Sequence, residues 1–398
     1  MKVLVLVAPG QGAQTPGFLS PWLELPGVAD RLNWWSAVAG LDLVHYGTKA
    51  DAEEIRDTAV AQPLLVAAGL VSALSIFPHP SDGQRLVGAA AGHSVGEITA
   101  AAGTGVITAE SAMALVRRRG LAMAEAAAVT ETGMCAVLGG DPETVLAKIE
   151  EHGLTPANSN GGGQIVAAGT MEQLAALKDD KPEGARVLPL KVAGAFHTHH
   201  MAPAVSTLEA LVPGVTVRDP RTRYVSNADG QVVHSGTDVI KRIVSQVSNP
   251  VRWDLCMETF KELGATAIIE VAPAGTLVGL AKRALPGVQT LALKTPDDID
   301  AARKMIAEHG EAAGNPLEHS PTWRLAVAPF KGIVRVSDIR PGHVLAPGTE
   351  VAVVANNREQ QAVAAQHGGT VVEWLVEDGD PVSPGQPLLR LHPEASPE

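Results

Sequence analysis

Through about residue 310 the chain alternates two apolar patterns. Compact runs at 3–7, 266–271 and 288–293 have the length and β-branched content of buried strands. Longer Ala- and Leu-rich stretches, such as 64–74 and 111–128, suit helices. The alternation predicts an α/β fold with a mostly parallel sheet. Within it, 129–193 changes character. Residues 132–138, 164–168 and 185–190 read as strands, and 142–152 and 171–178 as helices. This short β-α-β-α-β order predicts a small inserted subdomain. The expected large α/β subdomain is therefore 1–128 with 194–310, and the insertion is 129–193. Residues 311–322 have linker composition.

From 323 to 398 the pattern becomes short β-rich runs punctuated by Gly and Pro. Ala328, Gly332, Val334, Gly342, Pro347 and Gly348 recur as Ala365, Gly369, Val371, Gly379, Pro384 and Gly385, each 37 residues on. A repeat at one fixed offset reveals architecture. Two similar β half-units around Asn356-Asn357-Arg358 predict a small flattened barrel with pseudo-twofold symmetry.

Composition and the chain's start add five constraints. A chain of 398 residues is too long for one ordinary core. Hydrophobic content is 45%, yet no window reads as a membrane-spanning helix of roughly 18 apolar residues. The apolar start runs into Pro9-Gly10-Gln11-Gly12 rather than a cleavage site, so it reads as a first strand and not a signal segment. Cys135 and Cys256 are too few for a disulfide framework and read as reduced core residues, which fits the cytoplasm. A net charge of −12 argues against a general nucleic-acid binder.

The chemistry centres on Gly92-His93-Ser94-Val95-Gly96-Glu97. Residues 85–91 read as a strand before it and 97–102 as a helix after it. Strand, tight turn and helix make a nucleophile elbow. A Gly-rich turn with a capping serine would use the same residues. Serine needs a base, and His197, His199 and His200 are the nearest candidates, with no local signal choosing among them. Their spacing is not that of helical metal ligands, and no carboxylate or cysteine stands beside them, so no metal is expected. The Val95 amide and an amide of the loop Ala8-Pro9-Gly10-Gln11 suit an oxyanion. Arg117-Arg118-Arg119 lies mid-helix, where successive side chains diverge by about 100°. One of them buried would grip a carboxylate bidentately.

Taken in order, Gly10-Gln11-Gly12-Ala13-Gln14, the Ser94 motif, Arg118-Arg119-Gly120, Asn158-Ser159-Asn160, Gly194-Ala195-Phe196-His197 and Gln246-Val247-Ser248-Asn249-Pro250-Val251 resemble the malonyl-CoA:acyl carrier protein transacylases. The resemblance covers about 1–310. It implies an α/β-hydrolase-like subdomain with a ferredoxin-like insertion. It also implies ping-pong transfer from malonyl-CoA to an acyl carrier protein, for fatty acid or polyketide synthesis. By the matched motifs, Ser94 is the nucleophile and His197 the base, oriented by a backbone carbonyl at Gln246. Gln11 and Val95 form the oxyanion hole. Arg119 holds the malonyl carboxylate, and Gln246, Phe196, His93 and Asn160 complete the substrate site. Phe196 and Val95 match members that load malonyl rather than methylmalonyl groups. A serine thioesterase or esterase on the same elbow is the alternative. Lys282-Arg283 offers a basic patch for an acidic carrier protein, and no membrane partner is expected.

The tail resembles biotinyl and lipoyl carrier domains through Ala365-Gln-His-Gly-Gly369 and Gly379-Asp-Pro-Val-Ser-Pro-Gly385. In that family a hairpin lysine carries the cofactor. Arg358 stands there instead, and 351–375 contains no lysine. The expectation is an all-β, barrel-sandwich-like domain without biotin or lipoate, serving stability or docking to a partner.

Overall fold

A computed structural model describes residues 2–77, 79–192, 194–310, 324–366 and 368–392. The linker expected at 311–322 lies outside them. The chain separates into two compact units. Met1–Trp22, His45–Pro78 and Asp82–Ala313 form the first; Leu23–Val44, His79–Ser81 and Gly314–Glu398 form the second.

The first unit is built on a six-stranded sheet. Its order is Gln289–Ala292, Ala267–Glu270, Leu4–Ala8, Ala89–Gly92, Arg223–Val225 and Val232–Val233. All neighbours are parallel except the last pair. A parallel sheet must be covered on both faces, so its strands are almost wholly apolar. Val5, Val7, Ala89, Ala91, Val225 and Ile268 point to one face. There they pack with Trp253, Phe260, Leu277 and Leu280 from helices Trp253–Glu262 and Thr276–Ala284. The other face carries helices Gly96–Gly103 and Thr58–Ile76.

Two sequence expectations need correction here. Helix Thr58–Ile76 has 19 residues without a charge and is long and apolar enough to cross a membrane. It reaches that hydropathy because it is a core helix, buried along nearly its whole length. The strand expected at 85–91 is also shifted. Pro80–Leu86 is helical, with Arg85 paired to Asp82 one turn back at 3.2 Å, and the strand is Ala89–Gly92.

The inserted segment forms a second sheet in the order Ala185–Pro189, Thr132–Gly139, Gln164–Thr170, Thr155–Gly161 and Val251–Arg252. Helices Pro142–Glu151 and Met171–Asp179 complete it. The order is thus β-α-β-β-α-β, with Thr155–Gly161 added to the predicted set. Thr-Pro-Ala-Asn-Ser-Asn-Gly has poor strand propensity. Pairing with Gln164–Thr170, through two bulges, and with Val251–Arg252 holds it extended.

In the second unit, residues 324–392 form two four-stranded sheets. One runs Arg324–Val327, Pro387–His392, Gly369–Trp374, Val344–Leu345; the other runs Gln360–Ala365, Thr349–Ala355, Gly332–Val336, Pro381–Val382. Exchanging the two 37-residue repeats maps one sheet onto the other. Their shared core respects the repeat: Ala328, Val334, Leu345 and Val351 are buried, as are Ala365, Val371, Val382 and Leu388. Leu23–Val44 belongs to this unit for a steric reason. A Cβ on Gly385 would stand 2.0 Å from the Asp30 carbonyl oxygen, so helix Val28–Ala39 abuts that turn.

Candidate active site

The strand Ala89–Gly92 ends in a turn that only glycine permits at two places. A Cβ on Gly92 would lie 1.9 Å from the Gly96 carbonyl carbon, and one on Gly96 would lie 2.3 Å from the Ala8 oxygen. The squeeze leaves Ser94 at φ 53°, a left-handed conformation that a non-glycine residue adopts only when its surroundings enforce it. Those surroundings are visible. Ser94 N donates to Asn227 Oδ1 at 2.8 Å, and Ser94 O accepts from Gln246 Nε2 at 3.2 Å. The turn sits at the carboxyl end of parallel strands, where α/β sheets place their sites.

His197 also has a left-handed backbone, at φ 61°. Its Nε2 is 2.8 Å from Ser94 Oγ, and its Nδ1 is 2.7 Å from the Gln246 backbone carbonyl. A carbonyl only accepts, so Nδ1 carries the proton and Nε2 is free to take one from serine. Burial, then the charge of Arg119, pushes the His197 pKa down to about 3, so the imidazole is neutral at physiological pH. His199 and His200 instead stack on each other at 4.1 Å in a short 3₁₀ turn.

The three consecutive arginines diverge as helical geometry requires. Arg118 is exposed, Arg117 donates to the Ala59 carbonyl at 2.7 Å, and Arg119 is only 1% exposed. Arg119 Nη1 donates to Gln62 Oε1 at 2.7 Å and Nη2 to Gln246 Oε1 at 2.9 Å. Its Nε has no acceptor among the described residues. Burial lowers the Arg119 pKa to about 10, with Glu97 opposing, so it remains a cation.

The remaining predicted residues divide. The Gln11 side chain turns away to Thr58 Oγ1 and the Arg56 carbonyl, at 3.2 and 3.3 Å. The backbone amides of Gln11 and Val95 have no acceptor among the described residues. His93 Nε2 meets Asn160 Oδ1 at 2.8 Å, which links the small sheet to the elbow. Its ring packs edge-on to Trp253, and burial lowers its pKa. Phe196 is buried over Gly194. Among the described residues no group of three or more His, Cys, Asp or Glu is placed to hold a metal ion.

Sequence reasoning missed three participants: Gln62, Glu97 and Asn227. Glu97 lies inside the Ser94 motif, three residues after the serine, where the sequence pattern marks only the start of a helix. It is 1% exposed and accepts from Asn227 N at 2.7 Å and Gln246 Nε2 at 2.6 Å. Gln62 and Asn227 had no motif to mark them.

Comparison with known proteins follows the same boundaries. The acyl transferase domain family matches residues 5–305. Malonyl CoA-acyl carrier protein transacylase of Mycobacterium tuberculosis is 51% identical over 303 residues, which is 75% of this chain and 98% of the relative. The crystal structure of the Mycobacterium tuberculosis MCAT superposes with a TM-score of 0.72 at 50% identity, covering 76% of this chain and 99% of that one. A malonyl-transacylase in complex with its type II PKS acyl-carrier protein gives 0.70 at 30% identity, covering 76% and 99%.

Proposed function

Because the chain belongs to the acyl transferase family, we propose that it moves malonyl groups from malonyl-CoA to the phosphopantetheine thiol of an acyl carrier protein, for fatty acid or polyketide synthesis. The observation that carries this reading is Arg119. A buried cation whose Nε has no acceptor among the described residues, sharing Gln246 with the Ser94–His197 pair, suits a substrate that bears a carboxylate. A simple esterase or thioesterase has no use for it.

In the first half-reaction Ser94 Oγ attacks the thioester carbonyl while His197 Nε2 takes its proton. The amides of Gln11 and Val95, without another acceptor among the described residues, suit the oxyanion. The C–S bond breaks, and CoA sulfur leaves with the proton from His197. The carrier thiol then repeats the attack on the malonyl-serine ester, and the proton returns to Ser94. Substrate also tunes the base. Burial is the main reason for the low His197 pKa and the Arg119 charge the second; a carboxylate against Arg119 offsets that second part, which strengthens the imidazole as a base.

Around this chemistry we read the large sheet as α/β-hydrolase-like, the β-α-β-β-α-β insertion as ferredoxin-like and the tail as barrel-sandwich-like. We place the reaction in the cytoplasm. The tail is read as unmodified, since Arg358 cannot replace an acylated lysine, and as a docking or stabilising module. Lys282 and Arg283, both exposed on the last turn of Thr276–Ala284, suit the acidic carrier.

The test is mass spectrometry after incubation with malonyl-CoA. The Ser94 peptide should gain roughly 86 Da, the mass of a malonyl ester, and Ser94→Ala should remove the gain. No adduct on the native protein would end the transferase reading. In the same assay, Lys282→Glu with Arg283→Glu should raise KM for the carrier protein and leave malonyl loading intact; equal effects on both would exclude this patch.

A further inference from the structure

Glu97, Asn227 and Gln246 converge behind the nucleophile from three separate elements. Glu97 lies on the first turn of helix Gly96–Gly103, Asn227 follows strand Arg223–Val225, and Gln246 ends helix Gly236–Ser245. All three are buried. The reaction as derived uses only the backbone carbonyl of Gln246, which leaves the role of its side chain open.

That side chain lies between an acceptor and a donor. Its Nε2 donates to Glu97 Oε2 at 2.6 Å, and its Oε1 accepts from Arg119 Nη2 at 2.9 Å. The two ends of a carboxamide are nearly isosteric, so neighbours alone decide which way it points. Burial raises the Glu97 pKa to about 7; in the ionised form that prevails above it the carboxylate only accepts, and a guanidinium only donates, so Glu97 and Arg119 then demand the same orientation. Ser94 O and Asn227 Oδ1, at 3.2 and 3.1 Å from the same Nε2, agree with them. Reversing the amide would set NH₂ against the guanidinium and oxygen against three acceptors.

We propose that Glu97 is a positioning residue for malonyl selection: by holding the Gln246 amide nitrogen, it keeps the amide oxygen on Arg119 and the guanidinium in its carboxylate-binding pose. The inference rests on the malonyl-transfer reading above. Glutamine at 97 would break the relay without changing its volume. Its oxygen would still take the Asn227 amide, and its own NH₂ would then face the Gln246 NH₂. That repulsion is relieved by turning the Gln246 amide, which withdraws the acceptor from Arg119. His197 is held by the Gln246 main chain, so the serine–histidine pair is affected less.

A double-mutant cycle tests this. kcat/KM for malonyl-CoA and for acetyl-CoA would be measured in the full chain for wild type, Glu97→Gln, Arg119→Ala and the double variant, with thermal denaturation alongside. Glu97→Gln should lower the malonyl value by about 10- to 100-fold, the scale of one hydrogen bond to a charged group, and the acetyl value by much less. In the Arg119→Ala background it should cost less than about twofold more, because residues acting through one another are non-additive. Equal loss on both substrates, or the same factor in both backgrounds, would overturn the relay and leave the malonyl reading standing. Arg119→Ala without loss of malonyl preference would overturn the clamp itself and the relay with it. Should Glu97→Gln not fold, Gln246→Leu takes its place in the cycle, since it keeps the backbone carbonyl that holds His197. Malonyl transfer unimpaired by Gln246→Leu, or impaired by the same factor with and without Arg119, would equally refute the relay.

Discussion

The turn that carries Ser94 and the hairpin that carries Arg358 are both tight connections, and they are built in opposite ways. At Ser94, hydrogen bonds arrive from residues more than 100 positions away: Asn227, Gln246 and His197. At 356–360 every residue is exposed, and the turn is closed mainly by its own bonds. Asn356 Oδ1 accepts from Arg358 N at 2.8 Å and Glu359 N at 3.0 Å. A strained, buried turn needs distant support and is fixed in one geometry. An exposed turn with its own Asn bonds needs little more, here one bond from Asn356 Nδ2 to the Lys331 carbonyl at 3.0 Å, and it tolerates change at its tip.

This contrast can be broken in three ways. The largest effect should come from Gly92→Ala. The added Cβ meets backbone atoms at 1.9 to 2.3 Å, which cannot rotate away. The variant should lose more than about 3 kcal/mol of stability or fail to fold, as read by urea unfolding. An unchanged transition would mean the elbow is far looser than described.

An intermediate effect is a pH slope. Burial raises the Glu97 pKa from 4.5 to about 7, against the Asn227 amide, Tyr224, Arg119 and Ser226. Cys256 and Arg242 also feel its charge. A carboxyl raised on folding stabilises the fold fully below its unfolded pKa, and that contribution is lost as pH rises through the folded one. Wild type should therefore lose thermal stability relative to Glu97→Gln between about pH 4.5 and 7. His197, present in both proteins, cancels from the difference. A flat or rising difference would place the charge elsewhere. The smallest effect belongs to the hairpin: Arg358→Ala should change stability by less than about 0.5 kcal/mol and leave malonyl transfer within about twofold. A larger loss of transfer would give the tail a part in catalysis.

Legibility in the sequence followed the same divide. Local signals sufficed where structure is locally made. The diverging arginines at 117–119 needed only helical geometry, and the tail's exchangeable sheets followed from a repeat visible in six residue pairs. Strand Thr155–Gly161 was not legible, because its propensity is poor and its extension is imposed by neighbours on both sides. Helix Thr58–Ile76 has the composition of a membrane span, and only its burial inside the first unit identifies it as core.

By itself the sequence determined most of the elements and the motif residues proposed to carry chemistry: an elbow serine, a histidine cluster, a helical arginine and a doubled β domain. Resemblance of its ordered motifs to a family singled out His197 and Arg119 from their neighbours. Tertiary structure alone decided the support. It brought Glu97, Asn227, Gln246 and Gln62 together behind Ser94 and Arg119, through bonds that span 19 to 152 positions. The physical reason is that a buried polar group must find a partner wherever the fold delivers one, and no short-range pattern records which distant residue that will be.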